Sequence, residues 1–471
     1  MEAVRDFAGS IRLRLVLVAV AAFAIAVGVV LFTAGPSESA PGALTHRGCI
    51  DDDDNGTDPS QGPDTCGDST DGLDAARTVV VSRDGRSVYA SSEGDNAIVR
   101  FKRNRDTGTL TPRGCIDDND AEGVDDCAQS ADGLNRPASL VLSHDGKWLY
   151  AASELDDAIV RFKRNRDTGA LTPRGCYDDN DPPDGPEDCI DDTNGLSEVT
   201  SIALSPDGKS LYAASETDDA IVRFKRDPDN GKLTPRGCID DNDPGSGPDN
   251  CADSTNGLGR ASHVTVSADG KWVYATSEDD NAIVRFRRNR RGALTPRGCL
   301  DDNPDGPDDC ARDTEGLNSF EMIVLSRDGK SAYAVGEGDN AIVRFKRDPD
   351  NGKLTPRGCI EDDDVAPNVC AEHAQGLNEP AWIAISRDGK SLYATGGDDA
   401  IVRFKRDPDN GKLAPRGCID DNDPGSGLDD CAQSKNGLDD TEAIAFSRDD
   451  GWLYVASEGD DAIVRFKRAT G

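Results

Sequence analysis

The sequence predicts an all-β fold: a seven-bladed β-propeller of four-stranded blades, closed by the N-terminal strand completing the last blade. Three observations predict it. The motif Ala-Ile-Val-Arg-Phe-Lys (or Arg) begins at Ala97, Ala158, Ala220, Ala282, Ala341, Ala400 and Ala462, a period of about 60 residues. An apolar run ending in a turn serine precedes each copy, at Ser82, Ser143, Ser205, Ser267, Ser326, Ser386 and Ser447. The repeating part opens on a lone fourth strand, residues 42–49, and ends on a third strand, residues 462–467, so the two ends supply one blade between them. Four antiparallel strands per unit, repeated four to eight times, describe a propeller. The expected organisation is a signal peptide or membrane anchor over 1–34, a linker over 35–42 and the propeller over 43–471.

Residues 201–238 show how each element is encoded. Ile202-Ala-Leu204 is the first strand, and the Asp-Gly of the turn after Ser205 is a strong hairpin signal, because glycine tolerates positive φ. Ser210-Leu-Tyr-Ala-Ala214 is the second strand. A short acidic turn leads into the third, where Ile221 and Arg223 share one face and Val222 and Phe224 the other, so both faces are partly covered. Asp-Pro-Asp-Asn-Gly turns the chain into the fourth strand, whose proline suits an edge. The acid pair before the third strand, Asp218-Asp219 here, recurs in similar form in nearly every unit. That points to turn structure, since such carboxylates accept backbone N–H bonds.

The 14 cysteines fall as seven local pairs: Cys49/Cys66, Cys115/Cys127, Cys176/Cys189, Cys238/Cys251, Cys299/Cys310, Cys359/Cys370 and Cys418/Cys431. Paired counts argue for disulfides and an oxidising compartment. Thiolate metal ligation is the rival, without a Cys-x-x-Cys or nearby paired histidines to support it. Residues 15–32 are unbroken apolar, behind Arg5, Arg12 and Arg14, which reads as a cleaved export signal or a retained anchor, with the propeller outside the cell or on its surface in both cases.

A formal net charge of −36 argues against nucleic acid and anionic membrane surfaces as direct partners, leaving a small ligand or protein, and membrane contact only through the N-terminal segment of a monomer. Much of the acid follows the first cysteine of each pair: Asp117, Asp118 and Asp120; Asp178, Asp179 and Asp181; Asp240, Asp241 and Asp243; Asp420, Asp421 and Asp423. Hard cations want six to eight oxygens, so these loops are candidate Ca²⁺ sites, with solvated carboxylates as the alternative.

The first strands differ most between units. Thr78, Ser139, Ser201, His263, Met322, Trp382 and Ala443 stand four residues before the turn serine, and Arg77, Arg136, Glu198, Arg260, Glu321, Glu379 and Glu442 stand nearby. First strands line a propeller's channel, so Arg77, Arg136, Glu198, Glu321, Trp382 and Glu442 are candidate channel-binding residues. His263 is the histidine expected to face the channel, where an imidazole beside carboxylates is able to act as acid or base.

Ser205-Pro-Asp-Gly-Lys-Ser-Leu-Tyr-Ala213, with Ala220-Ile-Val-Arg-Phe224 and Asp229-Asn-Gly-Lys-Leu-Thr234, resembles the seven-bladed lactonase and muconate-cycloisomerase-like propellers, within the wider YVTN-repeat type. The resemblance covers about residues 43–471. It implies His263 as base, Glu278 as its orienting or substrate-binding partner and Arg260 as the group that steadies a carboxylate or oxyanion, although the family's arginine place holds Ser262. Two functional readings follow. The first is an exported or surface-anchored scaffold that binds a ligand or protein, with candidate Ca²⁺ loops. The alternative is a lactonase-like hydrolase or cycloisomerase with its site in the central channel.

Overall fold

The computed structural model describes residues 40–52, 66–119, 127–179, 189, 191–242, 251–302, 310, 314, 316–362, 370–397, 399–421 and 431–470, and all regular structure among them is β-strand. The first blade is the meander Ala76–Val81, Ser87–Ser92, Ala97–Arg103 and Leu110–Asp118. The same meander recurs from first strands Pro137–Leu142, Val199–Leu204, Ala261–Val266, Phe320–Leu325, Pro380–Ile385 and Thr441–Phe446. The seventh blade continues through Trp452–Ser457 and Ala462–Arg468 and is completed by Leu44–Asp52, which pairs antiparallel with the last strand from Leu44↔Arg468 to Ile50↔Ile463. The ring closes as the sequence predicts.

One feature differs from the expected four strands. In five blades a short segment after the second cysteine (Asp68–Thr70, Ser130–Ala131, Asp191–Thr193, Asp253–Thr255 or Glu372–His373) pairs parallel with the outer strand, as in Ile239↔Asp253. Among the described residues the blades beginning at Ala261 and Pro380 have four strands, the latter with one parallel bridge, Asp420↔Ser434, in the place of the fifth. Segments this short carry no alternation to betray them, and the disulfide brings them into register.

The core lies between blades. Val222 and Phe224 pack with Trp148, Tyr150 and Ala152 of the blade before, while Ile221 packs with Val264 and Val273 of the blade after. This explains why the third strand is apolar on both faces: a blade is sandwiched, and only its inner and outer edges meet water. Each fully buried Phe contributes about 1.5–3 kcal/mol by leaving water. The outer strand bulges at Arg-Gly, where Arg236 and Gly237 oppose Arg223 alone, and Gly237 takes φ +86°.

Two polar devices repeat around the ring. The arginine ending the third strand is buried and reaches back one blade: Arg226 Nε donates to the Tyr150 hydroxyl at 2.7 Å, and that hydroxyl donates to the Gly231 carbonyl at 2.6 Å. Gly231 must be glycine, since a Cβ there would lie 2.3 Å from the Trp148 ring. The acid pair before the third strand joins blades through the backbone. Asp218 accepts the Ser197 amide, and Asp219 accepts the amide of Arg260 in the next blade at 2.6 Å, holding Arg260 at φ +51°.

The cysteines pair as the sequence predicts. Cys49–Cys66, Cys115–Cys127, Cys176–Cys189, Cys238–Cys251, Cys299–Cys310, Cys359–Cys370 and Cys418–Cys431 are all disulfides, with Cα–Cα distances of 4.8–5.2 Å. No cysteine is left free, so thiolate ligation of a metal has no ligands here. The first member of each pair stands on an outer strand, and the second ties down the chain as it leaves the acidic loop. Seven such bonds suit a protein that matures in an oxidising compartment. The apolar stretch 15–32 lies outside the described residues, and among the latter no helix is long and apolar enough to cross a membrane.

Candidate functional site in the central channel

The first strands converge on a cavity of about 730 Å³ on the ring axis, whose wall includes Thr78, Ser139, Ser201, His263, Met322 and Trp382. Strand alternation aims these side chains inward. Several also tie neighbouring blades: Ser139 Oγ accepts the Ile202 amide and Ser201 Oγ the Val264 amide, each at 3.3 Å. His263 sits among them with its Nδ1 buried and without a hydrogen-bond partner. Burial alone pushes its pKa down to about 4, so the ring is neutral at physiological pH.

Carboxylates ring the mouth at the end where second strands finish. Arg77 lies 3.4 Å from Glu93, 3.5 Å from Glu442 and 3.4 Å from Glu458. Arg136 joins Glu93 at 2.9 Å to Glu154 at 3.5 Å, and Arg260 joins Glu216 at 2.8 Å to Glu278 at 2.9 Å. Each guanidinium thus neutralises carboxylates of two adjacent blades. The fifth blade differs. Glu321, on its first strand, is hydrogen-bonded to Glu337, at the end of its second, and no described arginine or lysine forms an ion pair with either. Burial first, then the neighbouring Glu278 and Glu337, hold the Glu321 carboxyl well above the usual range. Burial likewise pushes Glu278 and Glu442 up to about 7. Two hydrogen-bonded carboxyls share a proton, so one is available as a base while the other donates.

Of the residues singled out from sequence, His263, Arg77, Glu321, Glu379, Trp382 and Glu442 line the cavity. Arg260 and Glu278 meet each other at the rim, but Glu278 pairs with Arg260 and not with His263. Arg136 also stands at the rim, and Glu198 accepts from Thr217 Oγ1 at 2.5 Å. Glu154, Glu216, Glu337 and Glu458 also line the cavity, each in the slot that follows a second strand, a slot not singled out from sequence. Its signal was the register: a slot repeated at the inner edge of a ring becomes a ring of carboxylates. Asp440, Glu442 and Glu458 bring oxygens within 4.8 Å of one another, a spacing able to hold a metal, but Arg77 already serves two of the three.

The described loop aspartates have backbone duties. Asp118, Asp179, Asp241 and Asp421 accept the amides of Leu134, Leu196, Leu258 and Leu438, which lead into the next blade. Asp117, Asp178, Asp240 and Asp420 lie beside them on the outer strands. Asp120, Asp181, Asp243 and Asp423 lie outside the described residues. The disulfides belong to this outer edge and not to the channel. None of Cys66, Cys127, Cys189, Cys251, Cys310, Cys370 and Cys431, nor any of their partners, lines the central cavity. Their role is to hold the loops, with no part in the channel's chemistry.

The family model for lactonase, 7-bladed beta-propeller, matches residues 57–176 and 321–420. No curated protein matches the chain. Among solved structures it is similar to a putative 6-phosphogluconolactonase from Bacteroides uniformis, at 23% identity over 72% of this chain and 83% of that one, with a TM-score of 0.52. It is also similar to a periplasmic gluconolactonase from Pseudomonas aeruginosa, at 18% identity over 81% and 93%, TM-score 0.54. Hydrazine synthase from Kuenenia stuttgartiensis, at 14% identity over 84% and 96%, has a TM-score of 0.50. Likeness at these identities speaks for the fold, which hosts unrelated chemistries. With the repeat, the ring and the two matched segments together, the chain is a seven-bladed β-propeller that is similar to the lactonase propellers over residues 57–176 and 321–420.

Proposed function

We propose that this exported propeller is a lactonase-like hydrolase acting on uncharged lactones in its central channel. The observation that carries the reading is the Glu321–Glu337 carboxyl pair, hydrogen-bonded and in an ion pair with no described arginine or lysine, on the wall of a cavity that also holds His263. Lactone hydrolysis needs a base for water and a donor for the carbonyl oxygen. The ionised member of the pair takes a proton from water as its oxygen attacks the carbonyl carbon. The protonated member donates to the oxygen as charge develops there. The ring C–O bond then breaks, the departing alkoxide takes the proton that the base removed from water, and a hydroxy acid leaves. His263, neutral across the working range, supplies a hydrogen bond to a substrate hydroxyl.

Charge selects the substrate. Glu154, Glu216, Glu337, Glu442 and Glu458 line the cavity, against Arg77 as its cation, so a phosphorylated lactone is repelled. The test is hydrolysis of matched lactones with and without a phosphate. Turnover of the uncharged member, with KM raised about tenfold in His263→Ala, supports the reading. Preference for the phosphorylated member refutes it.

One observation favours a second reading, a binding channel without chemistry: His263 has no carboxylate partner. Binding of a lactone or an organic cation without turnover would establish it. Calcium in the disulfide-tied loops is a separate proposal, supported by their crowded carboxylates. It predicts that chelation lowers the melting temperature and that added Ca²⁺ restores it.

A further inference from the structure

The net charge of −36 conceals a separation of charge by ends. Because the strands alternate in direction, every Ser-x-Asp turn and every turn between third and fourth strands lies at one end of the ring, and every channel-mouth carboxylate and disulfide loop lies at the other. The first end is basic. Exposed Arg86, Lys147, Lys209, Lys271, Lys330 and Lys390 follow its hairpins and offset the turn aspartates, two of which pair with Lys147 and Lys271, while exposed Lys102, Lys163, Lys225, Lys346, Lys405 and Lys467 at the ends of the third strands give the excess. Lys435 is the one described lysine at the acidic end.

Nearest the axis, four exposed arginines, Arg83, Arg327, Arg387 and Arg448, come from consecutive blades across the ring closure. Arg448 donates to the Arg83 carbonyl and Arg83 to the His144 carbonyl, each at 3.1 Å. No described carboxylate forms an ion pair with any of the four. Asp450 spends its oxygens on the Arg387 and Asp388 amides and on Arg468. The guanidinium of Arg387 is pushed below its ordinary pKa by burial; Asp450 offsets part of this, while Arg327, Arg448 and Arg83 add repulsion. Like charges gathered this way call for an anionic partner.

The N-terminal chain enters at this same end. Gly42 accepts the Tyr393 hydroxyl at 2.5 Å and lies against Ser391, which follows the Ser386 hairpin. The apolar stretch 15–32 ends just before, and the chain between Phe32 and Ala40 spans at most roughly 30 Å.

We propose that the basic end is a docking surface for a bilayer bearing anionic headgroups, so that the propeller stands on the membrane with its channel mouth and disulfide loops turned away. Whole-chain charge is the wrong quantity here. The acidic end lies beyond a Debye length, about 8 Å at physiological salt, from a membrane touching the basic end. A surface that adsorbs by basic residues near its chain entry adds a second attachment to whatever hold the N-terminal segment has.

The test uses the full chain with phosphatidylglycerol or phosphatidylcholine vesicles and sparse lysine acylation read by mass spectrometry. Slower acylation of Lys147, Lys209, Lys330 and Lys390 on phosphatidylglycerol alone, with Lys435 unchanged, is the expected result. Replacing Arg83, Arg327, Arg387 and Arg448 by Gln should weaken adsorption about fivefold per charge in a variant that still unfolds cooperatively. Equal labelling on both lipids overturns the proposal. So does equal protection by heparin or poly-U RNA at matched charge, which would make the occupant a soluble polyanion.

Discussion

Arg468 Nε lies 3.1 Å from the hydroxyl of Tyr393, which in turn donates to the carbonyl of Gly42. The penultimate blade thus holds the last strand and the chain entry at one point. Arg103, Tyr454 and Gly108 make the same connection one blade on. Ring closure therefore uses the repeat's own rivet as well as strand pairing. Tyr393→Phe removes a donor and an acceptor from buried partners, and should cost about 2–4 kcal/mol in denaturant unfolding. Tyr150→Phe, the equivalent change within the continuous chain, should cost the same. A much smaller loss at Tyr393 would mean that the closure is held by the strand ladder alone.

Asp241 accepts the Leu258 amide at 3.0 Å where the chain passes between blades. Asp241→Ala should lower stability by about 1–3 kcal/mol with Ca²⁺ removed as well as with it present. A penalty that appears only with Ca²⁺ would assign this carboxylate to an ion and not to the backbone.

The disulfides close loops with separations of 11 to 17 residues, the widest at Cys49–Cys66. Each is expected to contribute about 3 kcal/mol by restricting the unfolded chain. Replacing Cys299 and Cys310 together by Ser should lower the unfolding midpoint while leaving channel chemistry intact, as read by denaturant titration beside an activity assay.

Stability should vary with pH in a direction set by the channel. Glu278 and Glu442, held near 7 against an ordinary 4.5, contribute stability that is full below about 4.5 and lost as pH rises through 7. His263, held near 4 against 6.5, works oppositely: its contribution is full above 6.5 and lost as pH falls through 4. The raised carboxyls outnumber the histidine. The melting temperature should therefore be higher near pH 5 than near pH 8, and Glu442→Gln should flatten that slope. A slope unchanged in the variant would remove Glu442 as its source.

The fold was legible because its signals are local. Asp-Gly hairpins, the Ala-Ile-Val-Arg-Phe strand and the half-blades at residues 42–49 and 462–467 each state their structure within a few residues. The disulfide pairs were legible for the same reason. What stayed hidden depends on partners across the ring. The parallel fifth strand is too short to show a period. Asp219 looks like a turn cap until the amide of Arg260, in the next blade, is seen bound to it. Glu321 and Glu337 sit in repeat positions whose neighbours set their chemistry: the same slots hold Arg77 and Glu93 in the first blade, an ion pair there and a carboxyl pair here. Repetition showed where the channel residues stand, while the departures from repetition decide what they are able to do.

The most direct test of the catalytic account is hydrolysis of an uncharged δ-lactone by wild type, Glu321→Gln and Glu337→Gln, each shown to keep its melting temperature. The account predicts turnover by wild type and a fall of about 100-fold or more in both variants, through kcat more than KM. A folded wild type no faster than buffer, or variants as fast as wild type, would contradict it and leave the channel as a binding site.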